Sequence, residues 1–163
     1  MKCMKLFWMR LPLDYSAPPF NSMSSDSSSH SSYSNDDDSS TSSFPQLPPQ
    51  KVILLIRSDL AMSAGKVAAQ SGHVIHALCR ECPESIALTE WEEFDSTIIA
   101  LSVKDLDELQ EVLDRAVEAG IPTFTVQDAG RTEVEEGTTT CAAIGPAGDE
   151  QLKGVTGMLK LYK

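Results

Sequence analysis

Residues 51–163 are predicted to fold as an α/β sandwich, with helices on both faces of a mostly parallel sheet. Apolar, β-branched segments of strand length alternate here with segments whose apolar residues recur at helical spacing. All nine glycines of the chain lie in this region, at positions where turns and helix ends are expected. The hydrophobic content of 41% over 163 residues is enough for one core, built mainly from aliphatic side chains.

The first half of this region predicts two strands and two helices. Residues 52–56 form a continuous apolar run, which is typical of a central strand covered on both faces. Ser63 is placed to cap a helix that continues to about Arg80. A short helix fits 85–94, and the β-branched segment 97–103 predicts the second strand.

The second half continues the alternation. Residues 105–119 place apolar side chains at helical spacing, and Gly120 closes that helix. The remaining elements are two strands, a short helix and a terminal strand-like segment, at 121–126, 138–144, 149–154 and 158–162. The strand at 138–144 is expected to end at Gly145-Pro146.

Residues 1–50 differ from the rest in composition. They hold six of the nine prolines, no glycine, and 13 serines between Ser22 and Ser43. Because this segment has little apolar surface to bury, ordering it would cost backbone entropy without return. We expect residues 14–50 to be disordered. Residues 1–13 carry three bases and no acid, and form either a weak targeting or membrane-surface segment or an unstructured leader.

Composition excludes several classes of protein. The longest apolar runs are too short to span a bilayer, so no stable membrane insertion is expected. The four cysteines fit neither a disulfide scaffold nor a paired zinc site. Only His73 and His76 lie in residues 51–163, and no glycine-rich phosphate loop is present. The sequence therefore predicts neither a metal ion nor a nucleotide cofactor.

The net charge of −11, from 13 Lys+Arg and 24 Asp+Glu, argues by itself against a nucleic-acid partner. The acids are unevenly distributed, however. Residues 81–118 hold twelve acids and two bases, whereas 51–80 and 119–163 together hold seven acids and eight bases. We therefore predict a locally positive cleft on an acidic body.

Three polar residues share one stripe of the first predicted helix. Lys66, Gln70 and His73 are spaced i, i+4 and i+7, and seven residues at about 100° each return to within about 20° of the starting direction. Two interpretations of Lys66 and His73 remain open. They form a functional pair, or the lysine lies along the surface and the histidine bonds a nearby backbone group.

The loop QDAGRT directly follows the third predicted strand, where α/β sheets bind their ligands. Asp128 could orient a base or polarise water, Arg131 could bind a phosphate, and Thr132 could donate a hydrogen bond. The alternative is a plain turn, in which Asp128 makes an Asx-type bond and Gly130 supplies a positive φ. Three threonines, 138–140, enter the fourth strand. They reflect β-propensity, or one of them faces a cleft and hydrogen-bonds a substrate.

Six motifs occur in order over essentially all of 51–163: IRSDLAM at 56–62, GKVAAQ at 65–70 followed by His73, QDAGRT at 127–132, GTTT at 137–140, IGP at 144–146 and VTGMLKLY at 155–162. In sequence and spacing they resemble the type-2 peptidyl-tRNA hydrolases. The resemblance implies a three-layer α/β/α domain with a four-stranded mixed sheet. It also implies hydrolysis, without a metal or other cofactor, of the ester that joins a peptide to the 3′ ribose of tRNA.

The resemblance further implies which residues act. The expected catalytic residues are Lys66, His73, Asp128, Thr132 and Thr140. The expected substrate-binding residues are Arg57, Asp59, Gln70 and Arg131. The expected partners are peptidyl-tRNA and a second copy of the chain. The expected compartment is the cytoplasm, or a mitochondrion or other organelle if residues 1–13 act as a targeting segment.

These residue types suggest a mechanism with water as the nucleophile. Asp128 and His73 would manage the water and its proton, and Thr132 and Thr140 would donate to the ester carbonyl. Lys66 would stabilise the oxyanion or contact the terminal phosphate. The alternative is a catalytically inactive RNA- or protein-binding module of the same fold, because a fold does not certify an activity.

Overall fold

The computed structural model of the chain describes residues 49–82 and 85–163. Five strands lie within these two stretches: β1 (Gln50–Arg57), β2 (Ile98–Val103), β3 (Thr123–Gln127), β4 (Thr139–Gly148) and β5 (Lys160–Leu161). The same stretches contain four helices: α1 (Ala64–Glu81), α2 (Ile86–Glu93), α3 (Leu106–Glu118) and α4 (Asp149–Thr156). The expected leader at 1–13 and the expected disorder of 14–50 lie outside the described residues, apart from positions 49 and 50.

The strands form one sheet in the order β3-β4-β1-β2-β5. β1 and β2 are parallel, and the other neighbouring pairs are antiparallel. The α/β class is confirmed, but the described sheet has five strands rather than four, and its pairings are not mostly parallel. The fifth strand is β5, which pairs antiparallel with β2. The other antiparallel pairs arise because β4 follows β3 without an intervening helix. It therefore returns antiparallel and inserts between β3 and β1, although β1, β2 and β3 point the same way.

Side chains of β1 alternate between two cores. Ile53 and Leu55 face the core that contains α3 and α4. Val52, Leu54 and Ile56 face the core that contains α1 and α2. All five side chains are buried, so β1 is the central strand that its apolar run predicts. The three-layer α/β/α arrangement follows directly.

β4 is longer than the sequence predicts, because it continues through Gly145 and Pro146 to Gly148. Its register with β1 shifts at this point, between Lys51 and Ile53. Gly145 has a φ of +107°, and a Cβ atom there would lie 2.6 Å from the Lys51 carbonyl oxygen. The expected strand end at Gly145-Pro146 is therefore wrong, since a register shift accommodates both residues within the strand.

The helix starts agree closely with the sequence. Ser63, Ser85 and Asp105 cap α1, α2 and α3, and each side chain accepts the N–H of the residue three positions on. The predicted segments 149–154 and 158–162 correspond to α4 and β5. No helix in the described ranges combines the length and the apolar character needed to cross a bilayer.

Candidate active site

The candidate site lies where the carboxyl end of β3 meets the first turns of α1. Asp128 directly follows β3, and Lys66 is the third residue of α1. The Lys66 N–H donates to the capping Oγ of Ser63 at 3.3 Å, which fixes the start of the helix. Because α1 packs against β3 and β4, its first turns lie beside the loop that carries Asp128. This is the general position of ligand sites in α/β sheets.

Lys66 and Gln70 converge on one oxygen of Asp128. The Lys66 ammonium forms an ion pair with Asp128 Oδ2 and donates to Thr132 Oγ1 at 2.9 Å. Gln70 Nε2 donates to the same Oδ2 at 2.6 Å. The side chains of Lys66 and Asp128 are only 8% and 5% exposed. The shared stripe predicted for Lys66 and Gln70 is therefore present, and it faces the loop.

A tight turn holds the other oxygen of Asp128. Gly130 N donates to Asp128 Oδ1 at 2.8 Å, and Gly130 has the positive φ, +69°, that the turn interpretation predicts. A Cβ atom at Gly130 would lie 2.7 Å from the backbone nitrogen of Glu136. The backbone of Asp128 is also fixed, because its N–H donates to Thr138 O at 2.9 Å. The Asx-type turn is therefore present, and it fixes one carboxylate oxygen of the candidate site.

Asp128 remains ionised although it is buried. Burial by itself raises the pKa of this carboxyl, but the Lys66 ammonium, the Gly130 N–H and the Gln70 amide together hold that pKa below its usual value. A buried ion pair is tolerated when its remaining polar atoms are hydrogen-bonded. Both carboxylate oxygens meet this condition here. Asp128 is thus a fixed negative charge at neutral pH.

Thr140 lies behind this centre rather than in it. It is fully buried on β4, and its hydroxyl donates to Gln70 Oε1 at 2.9 Å. With Oε1 engaged by Thr140, the Gln70 amide nitrogen must face Asp128; the flipped amide would place oxygen against carboxylate. In this structure the Thr140 hydroxyl is thus engaged by Gln70. Its expected donation to an ester carbonyl stays a prediction.

The centre opens into a cleft of about 580 Å³. Its lining includes Lys66, Gln70, His73, Asp128, Arg131 and Thr132. His73 and Arg131 are exposed on its walls, so both could reach a bound molecule. The structure therefore brings four of the five expected catalytic residues to one cleft. The role of each of them stays a prediction.

Arg57 and Asp59 lie in a neighbouring cleft of about 690 Å³. The Arg57 guanidinium binds both oxygens of Asp59, at 3.0 and 2.6 Å, and donates to Thr139 O at 2.9 Å. The Arg57 hydrogen bond holds the pKa of Asp59 below its usual value. This pair is therefore outside the Lys66 cleft, although Glu133 lines both.

Sequence reasoning missed the contribution of Glu133. Its carboxylate accepts from Ser63 N at 2.7 Å and from Ser63 Oγ at 2.5 Å. The two residues are 70 positions apart, and no local pattern links them. The described residues contain no group of three or more His, Cys, Asp or Glu side chains that could hold a metal ion.

A lysine and an amide fix a buried carboxylate at the strand ends of an α/β sandwich, beside an open cleft. This combination is typical of an enzyme site. The chain belongs to the family described as peptidyl-tRNA hydrolase PTH2, whose model matches residues 50–162. That match covers the whole described sheet and all nine expected site residues.

Relatives named peptidyl-tRNA hydrolase align over nearly their whole length. The protein from Sulfolobus acidocaldarius is 42% identical over 118 residues, which covers 68% of this chain and 98% of that protein. The protein from Methanothermobacter thermautotrophicus is 41% identical over 111 residues, with the same two coverages. A solved protein of unknown function from Agrobacterium tumefaciens has a TM-score of 0.51 at 11% identity, covering 72% of this chain and 100% of its own. That likeness supports the fold alone.

Proposed function

We propose that this chain hydrolyses the ester between a peptide and the 3′ ribose of tRNA at the Lys66–Asp128 centre, releasing free tRNA for reuse in translation. The peptidyl-tRNA hydrolase family match and the relatives of that name support the reaction. One observation carries the assignment of the site. Lys66 and Gln70 converge on a buried, ionised Asp128 beside the Thr132 hydroxyl, at the floor of an open cleft.

Asp128 positions the attacking water. A carboxylate offers about four acceptor sites, two on each oxygen. Oδ2 accepts from Lys66 and Gln70, and Oδ1 accepts from Gly130 N. One acceptor site on Oδ1 is left for a water molecule. Because the pKa of Asp128 is lowered, its carboxylate is a weak base. It therefore orients this water but does not retain the proton that the water loses.

His73 takes the proton as the water attacks. It lies on the wall of the same cleft, and histidine is the side chain that most often serves as a general base. The water oxygen bonds to the ester carbon and the bond to the ribose 3′ oxygen breaks. The proton then passes to that ribose oxygen. The products are a tRNA with a free 3′ hydroxyl and a peptide carboxylic acid, which then loses its proton to solvent.

Lys66 and Thr132 supply hydrogen-bond donors. An ammonium has three N–H groups, and two of those of Lys66 donate to Asp128 and Thr132. The third N–H is directed to the developing oxyanion or to the terminal phosphate. Thr132 Oγ1 accepts from Lys66, so its own O–H can donate to the substrate.

The tRNA end approaches the face that carries Lys66 and Arg131. Arg131 is exposed at the cleft, where its guanidinium can bind a phosphate. Five of the twelve acids in 81–118 belong to α3, which packs on the opposite side of the sheet from α1, and three belong to α2, on the same side as α1. This arrangement supports a locally positive binding face on an acidic protein. The pair Arg57–Asp59, in the next cleft, remains the proposed second contact with substrate.

Release of tRNA from purified peptidyl-tRNA under single-turnover conditions tests the assignment. Asp128→Asn and Lys66→Met are expected to lower the rate by about 100-fold or more, the usual effect of losing one such group. Asp149→Asn and Lys51→Met are matched controls, because these residues form an ion pair at the surface. Binding of peptidyl-tRNA without turnover by the wild type would instead indicate the inactive binding module. Wild-type rates in both site variants would remove the centre from the mechanism.

We also propose that residues 51–163 form the catalytic domain, that the chain works in the cytoplasm, and that it forms a homodimer. The relatives support the first point, since 68% of this chain covers 98% of their length. A mitochondrion or other organelle is the alternative compartment if residues 1–13 act as a leader. Imaging of a C-terminally tagged chain distinguishes the compartments, and sedimentation equilibrium gives the oligomeric state.

A further inference from the structure

Two separate contacts join the loop of Asp128 to helix α1. The first is the buried centre, in which Lys66 meets Asp128 and Thr132. The second lies at the helix start, where the Glu133 carboxylate binds Ser63. Glu133 Oε2 accepts from Ser63 N at 2.7 Å, and Oε1 accepts from Ser63 Oγ at 2.5 Å. Each carboxylate oxygen therefore has its own donor on the helix cap.

This contact completes a helix cap that the helix itself cannot complete. In a capping box, a Glu or Gln three residues after the cap accepts the N–H of the capping residue. In α1 that position is Lys66, whose side chain is engaged by Asp128 and Thr132. Glu133 arrives from the loop and takes the missing role at Ser63. The capping box is thus divided between the helix and the loop.

The two contacts are close along both segments. Thr132 and Glu133 are consecutive, and Ser63 lies three residues before Lys66, one helical turn away. Gln70 and the backbone bond to Thr138 hold Asp128 itself, but Thr132 meets α1 only through the lysine side chain, which has many rotamers. A second link through a short serine and a carboxylate bound at both oxygens removes that freedom.

We infer that Glu133 is a positioning residue of this hydrolase: by binding Ser63 it fixes the loop against α1 and holds Asp128 and Thr132 opposite the Lys66 ammonium. This inference rests on the proposed function of the Lys66–Asp128 centre. The O–H and N–H of Ser63 hold the pKa of Glu133 below its usual value. The carboxylate is therefore ionised, and the link is intact, at neutral pH.

The kinetic test compares variants that break the link from either side. Glu133→Gln keeps the shape of the side chain but turns an N–H₂ group towards a Ser63 donor. Ser63→Ala removes the hydroxyl, whereas Ser63→Thr keeps both donors. Misplaced catalytic groups typically cost about 10- to 100-fold in rate. We expect a loss of that size in kcat for Glu133→Gln and Ser63→Ala, with KM changed less than about twofold, and near-normal turnover for Ser63→Thr.

A double variant shows whether the two residues act as one link. Ser63→Ala/Glu133→Gln should be no slower than the slower single variant, because either change breaks the same contact. Effects that multiply would mean independent roles and would overturn the inference. Glu136→Gln is the matched control, since it removes the same charge from an exposed position in the same loop. All rates are measured at a temperature at which circular dichroism shows each variant to be folded. If Ser63→Ala does not fold, the comparison of Glu133→Gln with Ser63→Thr carries the test.

Labelling of Lys66 provides a readout that a loss of stability alone does not move. Lys66 is nearly buried in the intact site, so acetic anhydride should acetylate it slowly relative to Lys51 in the same sample. Glu133→Gln should raise the Lys66-to-Lys51 ratio several-fold, and Glu136→Gln should leave it unchanged. An unchanged ratio and rate in Glu133→Gln, with Asp128→Asn inactive, would refute the link and leave the proposed function intact. Normal rates in both Glu133→Gln and Asp128→Asn would instead refute the proposed function.

Discussion

Thr140→Val should slow the reaction while leaving the fold around the site intact. The change removes the hydroxyl that donates to Gln70 Oε1 at 2.9 Å and keeps nearly the same volume. Thr140 and Gln70 are 0% and 3% exposed, so water cannot replace the lost donor. An unpartnered buried acceptor costs about 1–3 kcal/mol. Part of this cost is offset, because the variant no longer has to bury the polar hydroxyl of Thr140. We expect the free energy of unfolding to fall by about 1–2 kcal/mol.

The effect on turnover passes through Gln70. Without Thr140 the amide loses its fixed orientation, and the donor to Asp128 Oδ2 is no longer held at 2.6 Å. We expect kcat to fall about tenfold, equivalent to about 1.4 kcal/mol in the barrier, with KM unchanged. Thr140→Ser is the matched control, because it loses a buried methyl group and some stability but keeps the hydroxyl. Urea unfolding and single-turnover release of tRNA measure both quantities, and equal kcat in the two variants would refute a role through Gln70.

Three further predictions concern the same cleft. Because the pKa of Asp128 is lowered in the folded chain, its contribution to stability is present above the unfolded pKa of about 4 and is lost as the pH falls through the folded pKa; urea unfolding across the acid range should therefore show a steeper loss for wild type than for Asp128→Asn. Arg131→Gln should weaken tRNA binding and reduce the slope of log K against log salt by about 1, as measured by filter binding, whereas an unchanged slope would place Arg131 away from phosphate. Gly130→Ala should destabilise the fold by about 2 kcal/mol or more and lower turnover, because its Cβ would lie 2.7 Å from Glu136 N. Gly120 has nearly the same positive φ, but a Cβ there would meet nothing within 4 Å. Gly120→Ala is therefore the control that carries the backbone cost alone.

Most elements could be predicted from the sequence because their signals are local. The apolar run of β1, the cap at Ser63 and the positive φ of Gly130 each depend on neighbouring residues, and all are present. The convergence of Lys66 and Gln70 on Asp128 could be predicted only in part. Spacing places them on one stripe, but only the fold brings Asp128 to it. Contacts such as Ser63–Glu133 join residues 70 positions apart, and no propensity or periodicity carries that information.

Two differences from expectation are the antiparallel pairing of β4 with β3 and β1 and the buried position of Thr140. Both have one origin, the position of β4 in the sheet. Alternation of strands and helices predicts each new strand at a growing edge of a mostly parallel sheet. β4 instead follows β3 directly and inserts antiparallel between β3 and β1. A strand in that position is covered by α1, and this is why Thr140 is buried beneath Gln70 instead of facing the cleft. The inserted strand thus gives the site a polar floor, Thr140 to Gln70 to Asp128, that a strand at the edge of the sheet would not provide.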